Sequence, residues 1–104
     1  MTDLEITALC ADSIEIAVFE REDFSGRFEI RHTNGTSTIY DPLHDDSQAM
    51  ELMKKHHVLV QPFSYAPNDE YWRAFADYQK YFGSGTTANR AICECVAKMQ
   101  QAKP

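Results

Sequence analysis

The sequence predicts a small, single-domain α+β protein with a mainly antiparallel sheet and helices packed on its faces. Three observations carry that expectation. Residues 87–99 return an apolar face every 3.6 residues, the period of an amphipathic helix. Residues 27–40 alternate apolar and polar side chains on either side of Asn34-Gly35, which reads as two strands joined by a hairpin turn. Thr2 and Glu5 stand at capping-box spacing ahead of an apolar run, so the chain also starts on a helix.

The first helix spans roughly residues 3–11. Leu4, Ala8 and Ala11 share one face and Ile6, Leu9 and Cys10 another, with a narrow polar strip at Glu5 and Asp12. Such a helix is either well buried or offers one face to a partner. Residues 13–21 then alternate, with Ile14, Ile16 and Val18 against Glu15, Ala17 and Phe19, the pattern of a strand. Phe28 and Ile30 alternate with Arg27, Glu29 and Arg31 in a half-exposed second strand, and Thr36 to Tyr40 returns as a third. Asp41-Pro42 ends it. Asp45 or Asp46 caps a helix running to about His56, with Ala49, Leu52, Met53 and His56 on its buried face. Val58 to Phe63 reads as a short strand, closed by Pro62 and the turn-rich Ala66-Pro67-Asn68-Asp69.

The segment from Glu70 to Phe82 is ambiguous by period alone. Tyr71, Phe75, Tyr78 and Phe82 sit at helical spacing, yet Tyr, Trp and Phe favour strands and Gly83-Ser84-Gly85 gives no stabilising last turn. The final helix follows. It gathers Ala88, Ile92, Cys95, Val96 and Met99 on one face and Arg90, Glu94 and Lys98 on the other at i,i+4 spacing. Cys95 is expected in the core, with Cys93 on its flank and only partly buried.

The chain has 104 residues, 43% hydrophobic and 25% charged, which suits one globular domain over residues 1–104. An apolar run of about 18 residues, which a membrane span needs, does not occur. Residues 1–12 carry no basic region before an apolar stretch, so no secretion signal is expected. Three cysteines make an odd count, which fits a reduced cytoplasm better than a disulfide framework. The charge is uneven: residues 1–51 hold 12 acids and three bases, residues 52–104 four acids and seven bases. A net charge of −6 disfavours direct grip on nucleic-acid phosphates, because few cations are available to displace counterions. An acidic half suits a basic partner surface instead.

Three blocks together resemble a known family: Asp3-Leu4-Glu5-Ile6 with Leu9-Cys10-Ala11, Tyr40-Asp41-Pro42-Leu43-His44-Asp45-Asp46 with Gln48-Ala49-Met50, and Asn89-Arg90-Ala91-Ile92-Cys93-Glu94-Cys95. In that order they look like the phage ABA sandwich proteins, short products of tailed phages and prophages. The resemblance covers most of the chain, with residues 13–39 and 64–86 weakly constrained. It implies an α/β/α sandwich-like arrangement, and a strand pair at Tyr71–Ala76 and Lys80–Ser84 ahead of the last helix. It implies no catalytic residues, and shorter members lack the extra N-terminal strand material seen here.

Motifs for chemistry are weak. Cys93-x-Cys95 with His56 and His57 offers zinc-type ligands, but two helix residues two apart point about 200° apart and cannot share an ion. His44, Asp45 and Asp46 read as a cap with dipole-favourable acids rather than an acid/base cluster. Ser13, Ser47 and Gly83-Ser84-Gly85 lack the context of a nucleophile or a phosphate loop. No catalytic, metal or cofactor residue is therefore assigned. The aromatics are different. Tyr65, Tyr71, Trp72, Phe75, Tyr78, Tyr81 and Phe82 place seven rings in 18 residues, more than one strand pair need bury. The surplus suits an interface, where Tyr and Trp act as anchors.

The function expected from the sequence is non-enzymatic: a phage or prophage accessory protein that binds a host or phage protein in the bacterial cytoplasm. One concrete form is an anti-CRISPR-like inhibitor of a host-defence complex, with Glu20, Glu22, Asp23, Asp45 and Asp46 occupying a basic nucleic-acid channel, and Tyr71, Trp72 and Tyr78 as further protein-binding candidates. The rival is a small enzyme or ligand-binding module whose pocket is built from sequence-distant residues around His44, His56 or Tyr71.

Overall fold

In a computed structural model that describes residues 1–23, 25–63 and 71–103, the elements run α1 (Asp3–Ser13), β1 (Phe19–Glu20), β2 (Phe28–Arg31), β3 (Ser37–Tyr40), α2 (Asp46–His56), β4 (Leu59–Pro62), β5 (Trp72–Ala76), β6 (Tyr81–Gly85) and α3 (Ala88–Gln101). The α+β class holds. Its strands divide into two antiparallel sheets of three strands each, β1-β2-β3 and β4-β5-β6. The turn-rich Ala66-Pro67-Asn68-Asp69 expected after β4 lies outside the described residues, as does Tyr65. Among the described residues, no helix is long and apolar enough to cross a membrane.

Helix α3 is the hub. One side of it lies against β4, β5 and β6, and it also meets α1 and α2. Ala91, Ile92, Cys93, Cys95, Val96 and Ala97 are all buried, so the apolar surface wraps further round the helix than a single stripe. Cys93 is therefore a correction: its exposure is 0%, the same as Cys95. The reason is α1, which covers that flank and brings the Cys10 thiol within 3.4 Å of the Cys93 carbonyl, to which it donates. The charged strip behaves as its spacing implies. Lys98 pairs with Glu94 at 3.2 Å, and Arg90 reaches Asp3 of α1 at 2.9 Å.

Side-chain caps start all three helices. Thr2, Asp45 and Thr87 each accept the backbone N–H three residues on, from Glu5, Gln48 and Arg90. The expected strand over residues 13–21 is the second correction, since only Phe19–Glu20 pairs. Helix α1 runs on to Ser13 and closes with Glu15 N–H on Asp12 O and Ile16 N–H on Ala11 O, while Glu15 takes φ 59°. That is the bonding of a Schellman cap with Glu15 in the left-handed position. The alternation of Ile14, Ile16 and Val18 instead serves packing, as all three lie half-buried against the core.

The hairpin at Asn34-Gly35 forms as expected, with a longer loop than a two-residue turn. His32 N–H bonds Thr36 O at 2.9 Å, and only Gly35 takes positive φ, at 87°. This is the three-residue loop in which glycine supplies the left-handed residue. The outer edge of β3 is closed by a side chain. Gln48 donates to Ile39 O at 2.8 Å and accepts from Asp41 N at 2.7 Å. Its carboxamide thus stands where a neighbouring strand's peptide group would, blunting an edge open to pairing.

Candidate protein-interaction face

The β4-β5-β6 sheet has two unlike faces, and the reason lies in α3. The helix approaches β6 so closely that a Cβ at Gly83 would fall inside 3.0 Å of backbone atoms of Ala91 and Cys95. Only small residues fit beneath it, so Ala74, Ala76 and Gly83 line the inner face, with Val60, Trp72 and Tyr81 around them. Because side chains alternate along a strand, the residues between must point outward. Pairing then aligns them across the sheet in two rows. Leu59, Phe75 and Phe82 form an apolar row; Gln61, Arg73 and Ser84 form a polar one. Leu59 is 59% exposed and Phe82 52%.

Cations sit over two rings at this sheet. The Arg73 guanidinium sits 4.0 Å from the Phe63 ring centroid, and Lys98 Nζ 4.7 Å from that of Phe82. The β5–β6 turn stands at one end of the apolar row. Asp77, Tyr78 and Gln79 all take positive φ, at 53°, 55° and 69°, and Lys80 N–H closes the turn on Asp77 O. Left-handed backbone costs an ordinary residue roughly 1–2 kcal/mol. Tyr78 gains no burial in exchange, being 102% exposed. A shallow hollow of about 260 Å³ joins the two features, lined by His57, Leu59, Phe75, Asp77, Tyr78 and Gln79 among others.

The residues singled out from sequence fall in different places. Tyr78 joins the exposed row. Trp72 packs against the core from the inner face, and Tyr71 is half-buried with its carbonyl accepting from Phe63 N–H. Asp45 is the α2 cap, and Asp46 accepts from Asn89 Nδ2 at 2.8 Å, which ties the starts of α2 and α3 together. Glu22 and Asp23 lie beside Arg21, Glu29 and Arg31. There Asp23 is held down to about 2 by its hydrogen bonds from Ser25 and then from Arg21, 3.0 Å away. Of the five acids expected to meet a partner, Glu20 and Glu22 make neither an ion pair nor a cap among the described residues, so these two are left free. Leu59 went unassigned in the sequence, and Phe82 entered only as one of the seven clustered rings. The signal that finds them is the small residue at every second position, Ala74, Ala76 and Gly83, which marks the covered face and so the open one.

Two hydrogen-bonded pairs resemble catalytic parts. Ser13 Oγ lies 3.0 Å from His56 Nε2, but the hydroxyl already donates to Cys10 O at 2.6 Å. The imidazole must then be the donor, which is the wrong direction for activating a nucleophile. Burial lowers the His56 pKa, with Lys103 and Lys55 adding to the effect. His44 Nδ1 meets Asp41 Oδ2 at 2.9 Å beside a hollow of about 220 Å³ lined by Asp3, Thr7, Arg27 and Tyr40 among others. That is below the roughly 300–1,000 Å³ of ordinary ligand pockets. The two thiols of the last helix diverge, with Cys95 Sγ on Tyr81 O and Cys93 turned to Cys10. Among the described residues, no group of three His, Cys, Asp or Glu side chains is arranged to hold a metal. Comparison with known proteins found no matching family model, no matching curated protein and no matching solved structure.

Proposed function

We propose that this chain works by binding another protein, with the outer face of the β4-β5-β6 sheet and Tyr78 as the contact surface. The observation that carries the reading is the row Leu59–Phe75–Phe82, exposed at Leu59 and Phe82 and half-buried at Phe75, continued by a strained turn that presents a tyrosine to solvent. Scattered exposed apolar residues are ordinary, whereas a contiguous row beside an exposed tyrosine suits a small contact surface. The partner is a host or phage protein of the bacterial cytoplasm, and no catalysis or cofactor is involved. The narrower form, a phage accessory protein that blocks a host nucleic-acid-handling complex, rests on the family resemblance and on the free acids Glu20 and Glu22.

The test is affinity capture from bacterial lysate at physiological salt, run in parallel with Leu59→Asp, Tyr78→Ala and a Glu20→Gln/Glu22→Gln double variant. A specific partner lost with Leu59→Asp and Tyr78→Ala supports the sheet face. A partner lost only with the double variant moves the contact to the acids. No specific partner in any sample defeats the proposal.

A further inference from the structure

Building on that reading, we infer that the sheet face takes a short extended peptide segment, one that places an acidic side chain two residues from a Leu or aromatic one. The argument starts from area. Three strands about 4.8 Å apart, one of four residues and two of five, cover a footprint of at most roughly 14 by 17 Å. A stable dimer or domain contact buries about 800 Å² on each partner, several times that footprint. A segment of four or five extended residues, at about 3.3–3.6 Å each, spans it instead.

Chemistry then specifies the segment. The apolar row Leu59–Phe75–Phe82 and the polar row Gln61–Arg73–Ser84 are two residues apart along each strand, or about 6.8 Å. Same-side residues of an extended ligand repeat at the same distance. A leucine or aromatic side chain on the first row therefore sets the next same-side residue over Arg73. That guanidinium makes no ion pair among the described residues. Stacking on Phe63 holds its plane and leaves N–H donors for a carboxylate, with the Ser84 hydroxyl and the Gln61 amide on either side. Lys80, also without an ion pair among the described residues, lies over the Tyr81 ring, so Arg73 is the cation that the outer rows themselves carry. Charge and spacing together favour an acidic segment over a basic one.

Selection of a displayed random nonapeptide library on the purified chain tests this. The expected result is enrichment of sequences with Asp or Glu two residues from Leu, Phe, Tyr or Trp. A fluorescein-labelled enriched peptide should bind in an anisotropy titration, weaken at least tenfold with Arg73→Gln and with Leu59→Asp, and keep its affinity with Glu20→Gln. Arg73→Lys should recover only part of the loss, because an ammonium lacks the planar fork. Circular dichroism checks that each variant is folded. Enrichment of basic or neutral peptides, no enrichment over the Leu59→Asp variant, or equal binding by Arg73→Gln overturns the inference. So does competition by an oligothymidylate, which would make the face a base-stacking surface, or dimerisation lost with Leu59→Asp. If lysate capture still depends on Leu59 while acidic peptides fail, only the peptide chemistry falls and the protein-binding reading stands.

Discussion

Substituting Gly83→Ala probes the close approach that makes one sheet face small and the other aromatic. The added Cβ would meet the Ala91 carbonyl oxygen and the Cys95 amide nitrogen inside 3.0 Å, and Glu94 Cβ at 3.0 Å. The first two are backbone atoms of α3, held in its hydrogen-bond ladder, so they cannot rotate aside. The helix must withdraw as a body, by about an ångström. A gap of that size forfeits a quarter to a half of the dispersion energy at the contacts it opens. Overpacking costs roughly 1–3 kcal/mol where side chains can adjust, so a cost of about 3 kcal/mol or more is expected here. For a domain whose whole stability is on the order of 5–15 kcal/mol, Tm should fall by about 12–24 °C. Gly85→Ala is the control. Its Cβ meets Arg90 Cβ and Cγ at 2.9 Å and Cδ at 3.1 Å; the outer carbons can swing aside, while Arg90 Cβ moves only with the helix, by a smaller step than Gly83 demands. Its cost should be smaller, about 1–2 kcal/mol, partly offset by the stiffer unfolded chain. Urea and thermal melts followed by far-ultraviolet circular dichroism read both. A neutral Gly83→Ala, or equal losses at the two positions, refutes the account.

Ile92→Ala should cost about 2–5 kcal/mol in urea melts, whereas Glu94→Ala removes only a surface i,i+4 pair and should cost about 0.5 kcal/mol or less. Gln48→Leu removes the partner of the half-buried Asp41 N–H and the exposed Ile39 C=O and should cost about 0.5–1.5 kcal/mol, with faster hydrogen exchange at the Asp41 amide. His56 has a folded pKa below its ordinary 6.5, so the unfolded chain takes the proton first as pH falls. Its contribution is present above that value and lost as pH drops through the folded one; His56→Gln should flatten stability across that range. Cys93 and Cys95, both fully buried, should react with a bulky thiol reagent only on unfolding and at equal rates, and faster labelling of Cys93 would mean that α1 lifts off α3.

The sequence by itself determined the features whose causes are local. A cap needs one side-chain oxygen and an N–H three residues on, so Thr2, Asp45 and Thr87 mark their helices. A tight hairpin needs a left-handed residue, so Gly35 marks its turn. The apolar period of residues 88–99 places Ile92, Cys95 and Val96 in the core. The β5–β6 strand pair did not follow from period, since rings at helical spacing suit either element; the resemblance favoured strands, and the structure has them.

Tertiary structure decided what depends on distant partners. Alternation at Ile14, Ile16 and Val18 became packing because the α1 cap had already used the backbone groups around it. Cys93 is buried because α1 lies across its flank, which no periodicity within α3 reports. Each strand pairs with its neighbours in the chain, and α2, placed between β3 and β4, divides them into two sheets. The open face of the second sheet exists because α3 claims the other one, and only small residues fit there. Asp45 and Asp46, equal acids in the sequence, are held by a cap and by Asn89, while Glu20 and Glu22 stay free. Charge is a property of the residue, but its availability to a partner is a property of its neighbours.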